Sequence, residues 1–241
     1  MTHTTTALVT GANKGIGFEI ARGLGALGWA VGVGARDPGR LADAVGRLRA
    51  EGVDAFAVPL DVTDDLSVAA AAAQLDRRGG LDVLVNNAGI TGELATQLPG
   101  SVELSTLRAV LEVNVFGVIR MIEAFLPQLR RAAHPRVVTV SSGVGSLTRQ
   151  SDPDGDAGPL ALAYSPSKTY LNGIVVQYAK ALADTPIKIN LVCPGFVATD
   201  LNGFRGTRTP EQGAASAIRL AQVPDDGPTG GYFEDAGVIP W

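Results

Sequence analysis

Short apolar runs and longer amphipathic stretches alternate along this sequence. The first apolar run, "TALVTG", precedes "GFEIARGLGALG", in which Ile20, Leu24 and Leu27 recur at the spacing of one helical face. A second run, "WAVGVGAR", precedes "GRLADAVGRLRAEG", a predicted helix for which Gly52 is the expected C-cap. Strands that alternate with helices in this way are typical of a parallel sheet covered on both faces. We therefore predict an α/β fold, a Rossmann-type doubly wound parallel sheet.

The same alternation continues through the rest of the chain. Further strands are predicted at "DAFAVPLDV", "LDVLVNNAG", "RVVTVSSG", "IKINLVCPG" and "GGYFED". Further helices are predicted at "DDLSVAAAAAQLDRRG", "STLRAVLEVNVFGVIRMIEAFLPQLRRA", "YSPSKTYLNGIVVQYAKALAD" and "TPEQGAASAIRLAQV". The polar segment Arg149–Pro159 is too short for a domain linker, and we predict a surface loop beside the site. Residues 1–241 are therefore expected to form a single domain that binds its ligands at the carboxyl ends of the strands.

Composition and charge argue against several classes of protein. The 241 residues are 46% hydrophobic and 18% charged, and the net charge of −4 argues against nucleic-acid binding. The one cysteine, Cys193, rules out an internal disulfide and is interpreted as a small core residue. His3 and His134 are isolated from other metal-binding residue types, so no metal site is predicted. With neither a signal peptide nor an apolar run of membrane-spanning length, the sequence is typical of a cytoplasmic protein.

A glycine-rich turn, "TGANKGIG", joins the first strand to the first helix. Because Gly11, Gly15 and Gly17 lack side chains, the main chain can approach a pyrophosphate there, and the helix N-terminus supplies N–H donors. The spacing differs from the common G-x-G-x-x-G fingerprint, and a tight strand–helix connection is the alternative interpretation. The position of the turn, at the first strand of an alternating pattern, favours a nucleotide site.

The residues after the second strand indicate which nicotinamide cofactor is bound. An acid at this position binds the ribose 2′-hydroxyl of NAD, whereas an arginine accommodates the 2′-phosphate of NADP. Here the strand ends at Ala35 and Arg36 follows, with Lys14 as a second cation inside the glycine turn. The alternatives are that Asp37 turns inwards and serves NAD, or that both turn residues are solvated. We favour NADPH/NADP+ over NADH/NAD+ as the cofactor.

Seven short motifs in sequence order carry a family resemblance. They are "TGANKGIG", "LDVT", "NNAG", the asparagine of "LEVNVFG", "VSSG", "YSPSK" and "PGFVATD". With these motifs the chain resembles the short-chain dehydrogenase/reductases over nearly its whole length. Within that family, "ANKGIG", "GAR" and the closing "GYFEDAGVIPW" are most similar to the NADPH-dependent carbonyl reductases. The resemblance implies a small-molecule carbonyl or alcohol substrate and a homodimer, homotetramer or monomer. It gives no reason to expect a nucleic acid or a membrane as partner.

The resemblance also implies roles for particular residues. Asn114, Ser142, Tyr164 and Lys168 match the family's catalytic four, although Ser141 has the same chemistry as Ser142. The implied cofactor contacts come from the glycine turn and from residues that follow the later strands. They are Gly11, Asn13, Lys14, Gly15, Ile16, Gly17, Arg36, Asp61, Val62, Asn87, Ala88, Gly89, Tyr164, Lys168, Pro194, Gly195, Val197 and Thr199.

Reduction of a carbonyl requires a hydride, which the nicotinamide supplies, and a proton. Tyr164 is the predicted proton donor, and the cation of Lys168, four residues later on the same helix face, is predicted to lower its pKa. Ser142 is predicted to hydrogen-bond the substrate oxygen. The family implies that Asn114 disturbs its helix and holds a water in a proton relay to Lys168; the alternative is a surface asparagine. Tyr170, roughly opposite Tyr164 on the helix, is interpreted as a packing residue.

Two segments, Val144–Ala163 and Phe196–Thr209, are predicted to bound the substrate pocket. The predicted apolar contacts within them are Val144, Phe196, Leu201 and Phe204. An apolar or aromatic ketone or aldehyde fits these contacts, unless Arg205 and Arg208 turn in and bind an anion.

Two other functions use the same set of residues. One is an alcohol dehydrogenase that works oxidatively with NAD(P). The other is a non-catalytic NADPH-binding sensor, which would be expected to lack the tyrosine or the lysine; both are present here. Reduction of a ketone or aldehyde by NADPH is therefore the favoured prediction.

Overall fold

The computed structural model of the protein describes residues 4–154, 158 and 160–241, so His3 and part of the predicted loop Arg149–Pro159 lie outside the described residues. Within the described chain, eight strands form one sheet in the order β3-β2-β1-β4-β5-β6-β7-β8. The strands are β1 (Thr6–Thr10), β2 (Ala30–Ala35), β3 (Ala55–Pro59), β4 (Val83–Asn86), β5 (Arg136–Val140), β6 (Lys188–Val192), β7 (Tyr232–Glu234) and β8 (Gly237–Val238). Strands β1 to β7 pair in parallel, which confirms the predicted sheet. β8 returns antiparallel to β7, a short hairpin that the sequence analysis did not predict.

Helices cover both faces of the sheet. They are α1 (Gly15–Ala26), α2 (Pro38–Ala50), α3 (Asp65–Arg77), α4 (Leu104–Leu111), α5 (Gly117–Leu129), α6 (Leu147–Gln150), α7 (Tyr164–Ala181) and α8 (Pro210–Ala221). The hydrophobic core on one face includes residues of α1, α2 and α8, such as Ile20, Leu41 and Ala217. The core on the other face includes residues of α3, α5 and α7, such as Val68 and Leu171. The doubly wound arrangement is therefore confirmed.

Strands β1 and β2 are buried at every position, because helices pack on both of their faces. β1 pairs with β2 on one side and with β4 on the other, so the strand order reverses at β1. Ligands of open α/β sheets bind in the crevice beyond the carboxyl ends of the strands at such a reversal. The glycine turn that follows Thr10 lies at this crevice.

Several local features differ from the predictions. The single long helix predicted around Asn114 is divided by a π-helical segment, Glu112–Phe116, between α4 and α5. Leu27 does not share the buried face of α1, since it follows the last residue of the helix and is 43% exposed. The predicted loop from Arg149 begins inside helix α6. The C-cap of α2 is Glu51 rather than the predicted Gly52, which follows it with a positive φ of 85°.

Candidate active site

The glycine turn brings the main chain of β1 close to the start of α1. Gly11 and Gly15 have φ angles of 63° and 57°, a left-handed conformation that favours glycine. A Cβ atom on Gly17 would lie 2.5 Å from the Gly11 carbonyl oxygen and 2.4 Å from Nδ2 of Asn87, so this position has no room for a side chain. The turn is also tied to the end of β4, because Oγ1 of Thr10 accepts the Asn87 N–H at 3.0 Å. The result is a rigid concave surface of main chain at the N-terminus of α1.

A cleft of about 450 Å³ opens at this surface. Sixteen of the predicted cofactor residues line it; they are Gly11, Asn13, Lys14, Gly15, Ile16, Gly17, Arg36, Asp61, Val62, Asn87, Ala88, Gly89, Tyr164, Lys168, Pro194 and Thr199. Gly195 and Val197 are not brought to its wall: the buried Val197 packs against Gly213, and Gly195 lies beside the Arg208 side chain. The wall also contains Asp37 and Ser141, which the sequence offered as alternatives, and residues that were not predicted, which are Ala35, Arg40, Leu60, Thr63, Ile90, Val113, Val140 and Asp200.

The end of the cleft beyond β2 carries cations. Arg36 is largely exposed, its side chain 68% so, and its Nη1 lies 3.9 Å from the Asp61 carboxylate. Asp37 is the N-cap of α2, where its Oδ1 accepts the Arg40 N–H at 2.8 Å. Desolvation raises the pKa of Asp61, but hydrogen bonds from Thr63 and the charge of Arg36 outweigh it and lower the pKa below its ordinary value. The carboxylate of Asp37 is therefore engaged by its own helix, and the guanidinium of Arg36 remains accessible.

Tyr164 and Lys168 lie on one face of α7, as their spacing predicts. The Lys168 ammonium donates to the Val140 carbonyl oxygen at 2.9 Å and lies 5.8 Å from the centre of the Tyr164 ring. Burial of Lys168 in the protein interior disfavours its charge and lowers its pKa to about 8. The ammonium is thus held at the end of β5, within one helical turn of the tyrosine.

The predicted lowering of the Tyr164 pKa is not what this protein shows. Desolvation is the dominant influence and raises the pKa of the phenol to about 12, although a hydrogen bond with Ser142 opposes the shift. Ser141 and Ser142, which have the same chemistry, make different contacts in the structure. The Ser141 hydroxyl is buried and donates to Oδ1 of Asn172 at 2.6 Å, whereas Ser142 is bonded to Tyr164. Ser142 therefore interacts with Tyr164, whereas Ser141, which lines the cleft, is engaged by Asn172.

Asn114 is fully buried inside the π-helical segment, so it is not a surface asparagine. Its Oδ1 accepts the Ile90 N–H at 2.9 Å, and its Nδ2 donates to the Ile90 carbonyl oxygen at 2.9 Å and to Oγ of Ser167 at 3.1 Å. Ser167 in turn donates to the Tyr164 carbonyl oxygen at 2.6 Å. The asparagine thus links the chain after β4 to the first turn of α7.

A second amide, which the sequence analysis missed, supports the start of α7. Gln97 is fully buried in a short 3₁₀ helix, and its Oε1 accepts the N–H groups of Ala163 and Tyr164 at 3.0 and 3.1 Å. Its Nε2 donates to the carbonyl oxygens of Thr91 and Glu93 at 2.8 and 3.2 Å. Because the N-cap Ala163 has no capping side chain, the glutamine satisfies N–H groups that the helix leaves unpaired. No local pattern marks Gln97, which acts from 67 residues away.

The predicted substrate contacts lie on the open side of the site. Of the four, only Leu201 lines the cleft, while Val144 is half-buried and Phe196 and Phe204 are exposed. Phe204 has a φ of 60°, an unusual left-handed conformation for a residue with a side chain. The structure thus brings one predicted contact to the cleft wall and leaves the other three outside it.

Arg205 and Arg208, the two arginines of the segment Phe196–Thr209, do not line the cleft, and both donate to neighbouring groups of the protein. Arg208 is bonded to Asp235 and to the Gln212 carbonyl oxygen, and Nε of Arg205 donates to the Asn202 carbonyl oxygen at 2.9 Å. The interpretation of Tyr170 as a packing residue is wrong, because the residue is 50% exposed on the outer face of α7.

Histidine, cysteine and acidic side chains also lie outside the cleft in the described part of the chain. No group of three or more histidine, cysteine or acidic side chains is arranged to hold a metal ion in that part of the chain. His134 contacts Asp225 on the surface, and Cys193 is buried in the core, as interpreted, with its Sγ accepting the Gly143 N–H at 3.1 Å. Within residues 4–154, 158 and 160–241, the helices are all too short or too polar to cross a membrane.

Comparisons with known proteins agree with the geometry. Residues 5–209 match the model of the short chain dehydrogenase family. A salutaridine reductase from Papaver bracteatum is 31% identical over 95% of this chain and 93% of the relative. Carbonyl reductase (NADPH) 1 from Bos taurus is 32% identical over 98% of each chain. The solved structure of NADPH-bound carbonyl reductase from chicken fatty liver has a TM-score of 0.87 at 28% identity and covers 100% of both chains.

Proposed function

This chain belongs to the short chain dehydrogenase family, and we propose that it reduces a ketone or aldehyde to an alcohol with NADPH, using Tyr164 as the general acid. It is an oxidoreductase of a family that binds nicotinamide cofactors. The observation that carries the proposal is that Tyr164 and Lys168 line the same cleft as the glycine turn and Arg36, with Ser142 hydrogen-bonded to Tyr164 just behind the wall. We take residues 1–241 as the catalytic domain.

The cleft walls fit a dinucleotide. The side-chain-free surface at Gly17 admits a pyrophosphate to the N–H groups of α1, where the helix dipole favours negative charge. The exposed Arg36 supplies a guanidinium that suits a 2′-phosphate, while Asp37 is engaged in capping α2. Thr199, also in the wall, is the proposed partner of the carboxamide of the nicotinamide ring. When bound, the cofactor supplies the hydride.

The protein's own residues supply the proton and hold the substrate oxygen. Because its pKa is raised to about 12, the Tyr164 phenol is protonated at neutral pH and can donate to the oxygen that becomes the alcohol. Ser142 is the proposed second donor to that oxygen and stabilises the charge that develops on it. Lys168 is the proposed partner of the ribose hydroxyls of the cofactor and the next proton carrier behind the tyrosine. Asn114 fixes the first turn of α7, through Ser167, in the geometry that this transfer requires.

An uncharged, apolar carbonyl compound is the proposed substrate class. Leu201 is the apolar side chain at the cleft wall on this side, and Phe196 and Phe204 are exposed nearby in sequence. Arg208 is neutralised by Asp235, so the segment offers no free guanidinium from this residue for a carboxylate or phosphate. The alignment with the Papaver bracteatum relative spans 292 positions, more than the 241 residues of this chain, so that relative contains segments that have no counterpart here.

A panel of carbonyl compounds tests the proposal directly. The panel contains benzaldehyde, acetophenone, pyruvate and glyoxylate, which range from apolar to anionic substrates. Reduction would be followed by the oxidation of NADPH at about 340 nm or by product formation. We expect turnover of the apolar members, and higher kcat/KM with NADPH than with NADH. Equal or better kcat/KM with NADH would contradict the assignment of the cofactor. Turnover only of alcohols with oxidised cofactor would identify the oxidative dehydrogenase instead, and cofactor binding with no turnover of either would favour the sensor.

A further inference from the structure

We propose that Tyr232 and Asn172 are positioning residues: together with Ser141 they form a buried hydrogen-bond network that holds the Ser142 main chain in its catalytic place. The inference rests on the proposed function, in which Ser142 binds the substrate oxygen. Tyr232 lies in the closing segment "GYFEDAGVIPW", for which the sequence analysis gave a resemblance but no role, and it belongs to β7, near the end of the sequence.

Tyr232 reaches the catalytic segment from β7, which lies between β6 and β8 in the sheet. It is completely buried, and its hydroxyl donates to the main-chain carbonyl oxygen of Ser142. The same hydroxyl interacts with the side chains of Ser141 and Asn172. Its ring stacks on Trp241, with ring centres 5.7 Å apart. The phenol is therefore held by packing on one side and by polar groups of the catalytic segment on the other.

Asn172 approaches the same segment from α7. It follows Tyr164 and Lys168 at the same four-residue interval, which places the three side chains along one face of the helix. Its Oδ1 accepts the Ser141 hydroxyl at 2.6 Å, and its Nδ2 donates to the Gly145 carbonyl oxygen at 3.2 Å. The helix that carries the proton donor thus also fixes the residues on both sides of Ser142.

The chain just after Ser142 is attached to the same C-terminal region. The Ser146 hydroxyl donates to the Pro240 carbonyl oxygen at 2.6 Å, and the Arg149 guanidinium pairs with both carboxylate oxygens of Glu234 at 3.1 and 2.7 Å. Ser142 itself is followed by a single 3₁₀ turn, Gly143–Gly145, in which the Gly145 N–H donates to the Ser142 carbonyl oxygen at 2.8 Å. The contacts with Tyr232, Asn172, Glu234 and Pro240 attach this short turn to the rest of the fold, and we infer that they fix the Ser142 hydroxyl relative to Tyr164.

The effect of Ser142 on the reaction depends on the distance between its hydroxyl and the substrate oxygen. A donor that is preorganised toward a developing negative charge loses much of its effect when it moves by a fraction of an ångström, and a buried, fully paired network prevents such movement. We therefore expect the network to act on the transition state through Ser142, and to leave binding of the cofactor at the opposite end of the cleft unchanged.

A double-mutant cycle between Tyr232→Phe and Ser142→Ala tests the inference, with the best carbonyl substrate of the panel and saturating NADPH. Tyr232→Phe removes the hydroxyl and keeps the ring that stacks on Trp241. We expect kcat to fall about 10- to 100-fold, with an unchanged dissociation constant for NADPH. In the Ser142→Ala background, the same change is expected to have no further effect on kcat, because its target hydroxyl is already absent.

Tyr178→Phe is the matched control. This phenol, on the same helix α7, donates to Oε1 of Glu123 at 2.6 Å and is remote from the cleft. Its removal also deletes one tyrosine hydroxyl hydrogen bond, and kcat is expected to be unchanged. A merely structural role for Tyr232 would give the same loss in both Ser142 backgrounds, and that result would overturn the inference while leaving the proposed function intact. Full activity of Ser142→Ala alone would instead refute the catalytic role of the serine, and the inference with it.

Asn172→Leu provides an independent variant if Tyr232→Phe does not fold, as judged by circular dichroism. It keeps the branched shape of the side chain, with methyl groups in place of the amide oxygen and nitrogen, and removes the partner of the Ser141 hydroxyl and of the Gly145 carbonyl. We expect the same pattern, a loss of kcat in the wild-type background that disappears in Ser142→Ala. An unchanged kcat, or an equal loss in both backgrounds, would overturn the inference.

Discussion

The cofactor side and the serine side of the cleft are built in different ways. On the cofactor side, the turn Gly11–Gly17 follows β1 directly, and its shape depends on main-chain torsions and missing side chains. On the serine side, the segment Ser141–Gln150 is held by Asn172, Glu234 and Pro240, which lie 31 to 94 positions away in the sequence. A short motif is sufficient to specify the first side, whereas the second requires the completed fold. The two sides can therefore be altered separately, and each prediction below tests that separation.

Tyr164→Phe is expected to have the largest effect, and on the serine side alone. Loss of the general acid should lower kcat about 10²- to 10⁴-fold, because no other proton donor is in place at the substrate oxygen. The dissociation constant for NADPH, measured by fluorescence titration, should be unchanged. Tyr170→Phe is the control, since it removes an exposed hydroxyl from the same helix. Retention of full activity by Tyr164→Phe would refute the catalytic assignment.

Gly17→Ala is expected to have the next largest effect, on the cofactor side. The added Cβ would meet the Gly11 carbonyl oxygen and the Asn87 side chain at 2.5 and 2.4 Å, so that the turn must shift. We expect the free energy of unfolding to fall by about 1–3 kcal/mol and NADPH binding to weaken. Gly46→Ala is the matched control, because the space around this glycine of α2 is open and the change should stabilise the helix by about 0.5–1 kcal/mol. Equal behaviour of the two variants in urea unfolding would contradict the steric argument.

The same contrast explains what the sequence could and could not predict. The fold was predicted from the periodicity of the strands and helices along the chain. The nucleotide turn and the shared helix face of Tyr164 and Lys168 were predicted from the spacing of residues within one short segment. Gln97 and Tyr232 act through contacts over 67 and 90 positions, for which the local sequence contains no signal. Asn172 was within reach of the analysis, since it continues the four-residue spacing of the catalytic pair. Properties that depend on burial are likewise set by residues that are distant in the sequence.

Two tyrosines have a burial that differs from the prediction. The pKa of Tyr164 was predicted from the neighbouring cation, yet desolvation, which is a property of the assembled site, has the opposite and larger effect. Tyr170 was predicted to pack because it lies roughly opposite Tyr164 on the helix, but it is 50% exposed there. In both cases the residue type was identified correctly and its surroundings were not.

The cations of the two sides should also differ in how they affect stability. Lys168 on the serine side is buried and its pKa is lowered to about 8, whereas Arg36 on the cofactor side is exposed. Because the folded state releases the Lys168 proton at a lower pH than the unfolded state, it binds fewer protons between about pH 8 and 10.5, and stability rises with pH there. We expect the protein to gain about 1–2 kcal/mol relative to Lys168→Met between pH 7.5 and 9.5.

Urea unfolding of both proteins across that range measures the difference. The raised pKa of Tyr164 makes its opposite contribution only above about pH 10, outside the range, so it does not obscure the result. The quantity to compare is the free energy of unfolding of the wild-type protein minus that of Lys168→Met. If this value stays constant or falls as the pH rises, Lys168 is not desolvated in the folded protein.

Arg36→Ala is expected to have the smallest effect and to be confined to the cofactor side. Because the guanidinium is exposed, its loss should raise the KM for NADPH only about three- to tenfold, and added salt should reduce the difference by screening. The KM for NADH, which has no 2′-phosphate, should be unchanged. Arg205→Ala is the control, because it removes an equally exposed cation from the substrate segment and should alter neither KM. An equal rise in KM for both cofactors would mean that Arg36 supports the shape of the cleft rather than binding the phosphate. The distinction between NADPH and NADH would then have to come from Lys14 or Arg40, the other exposed cations of the wall.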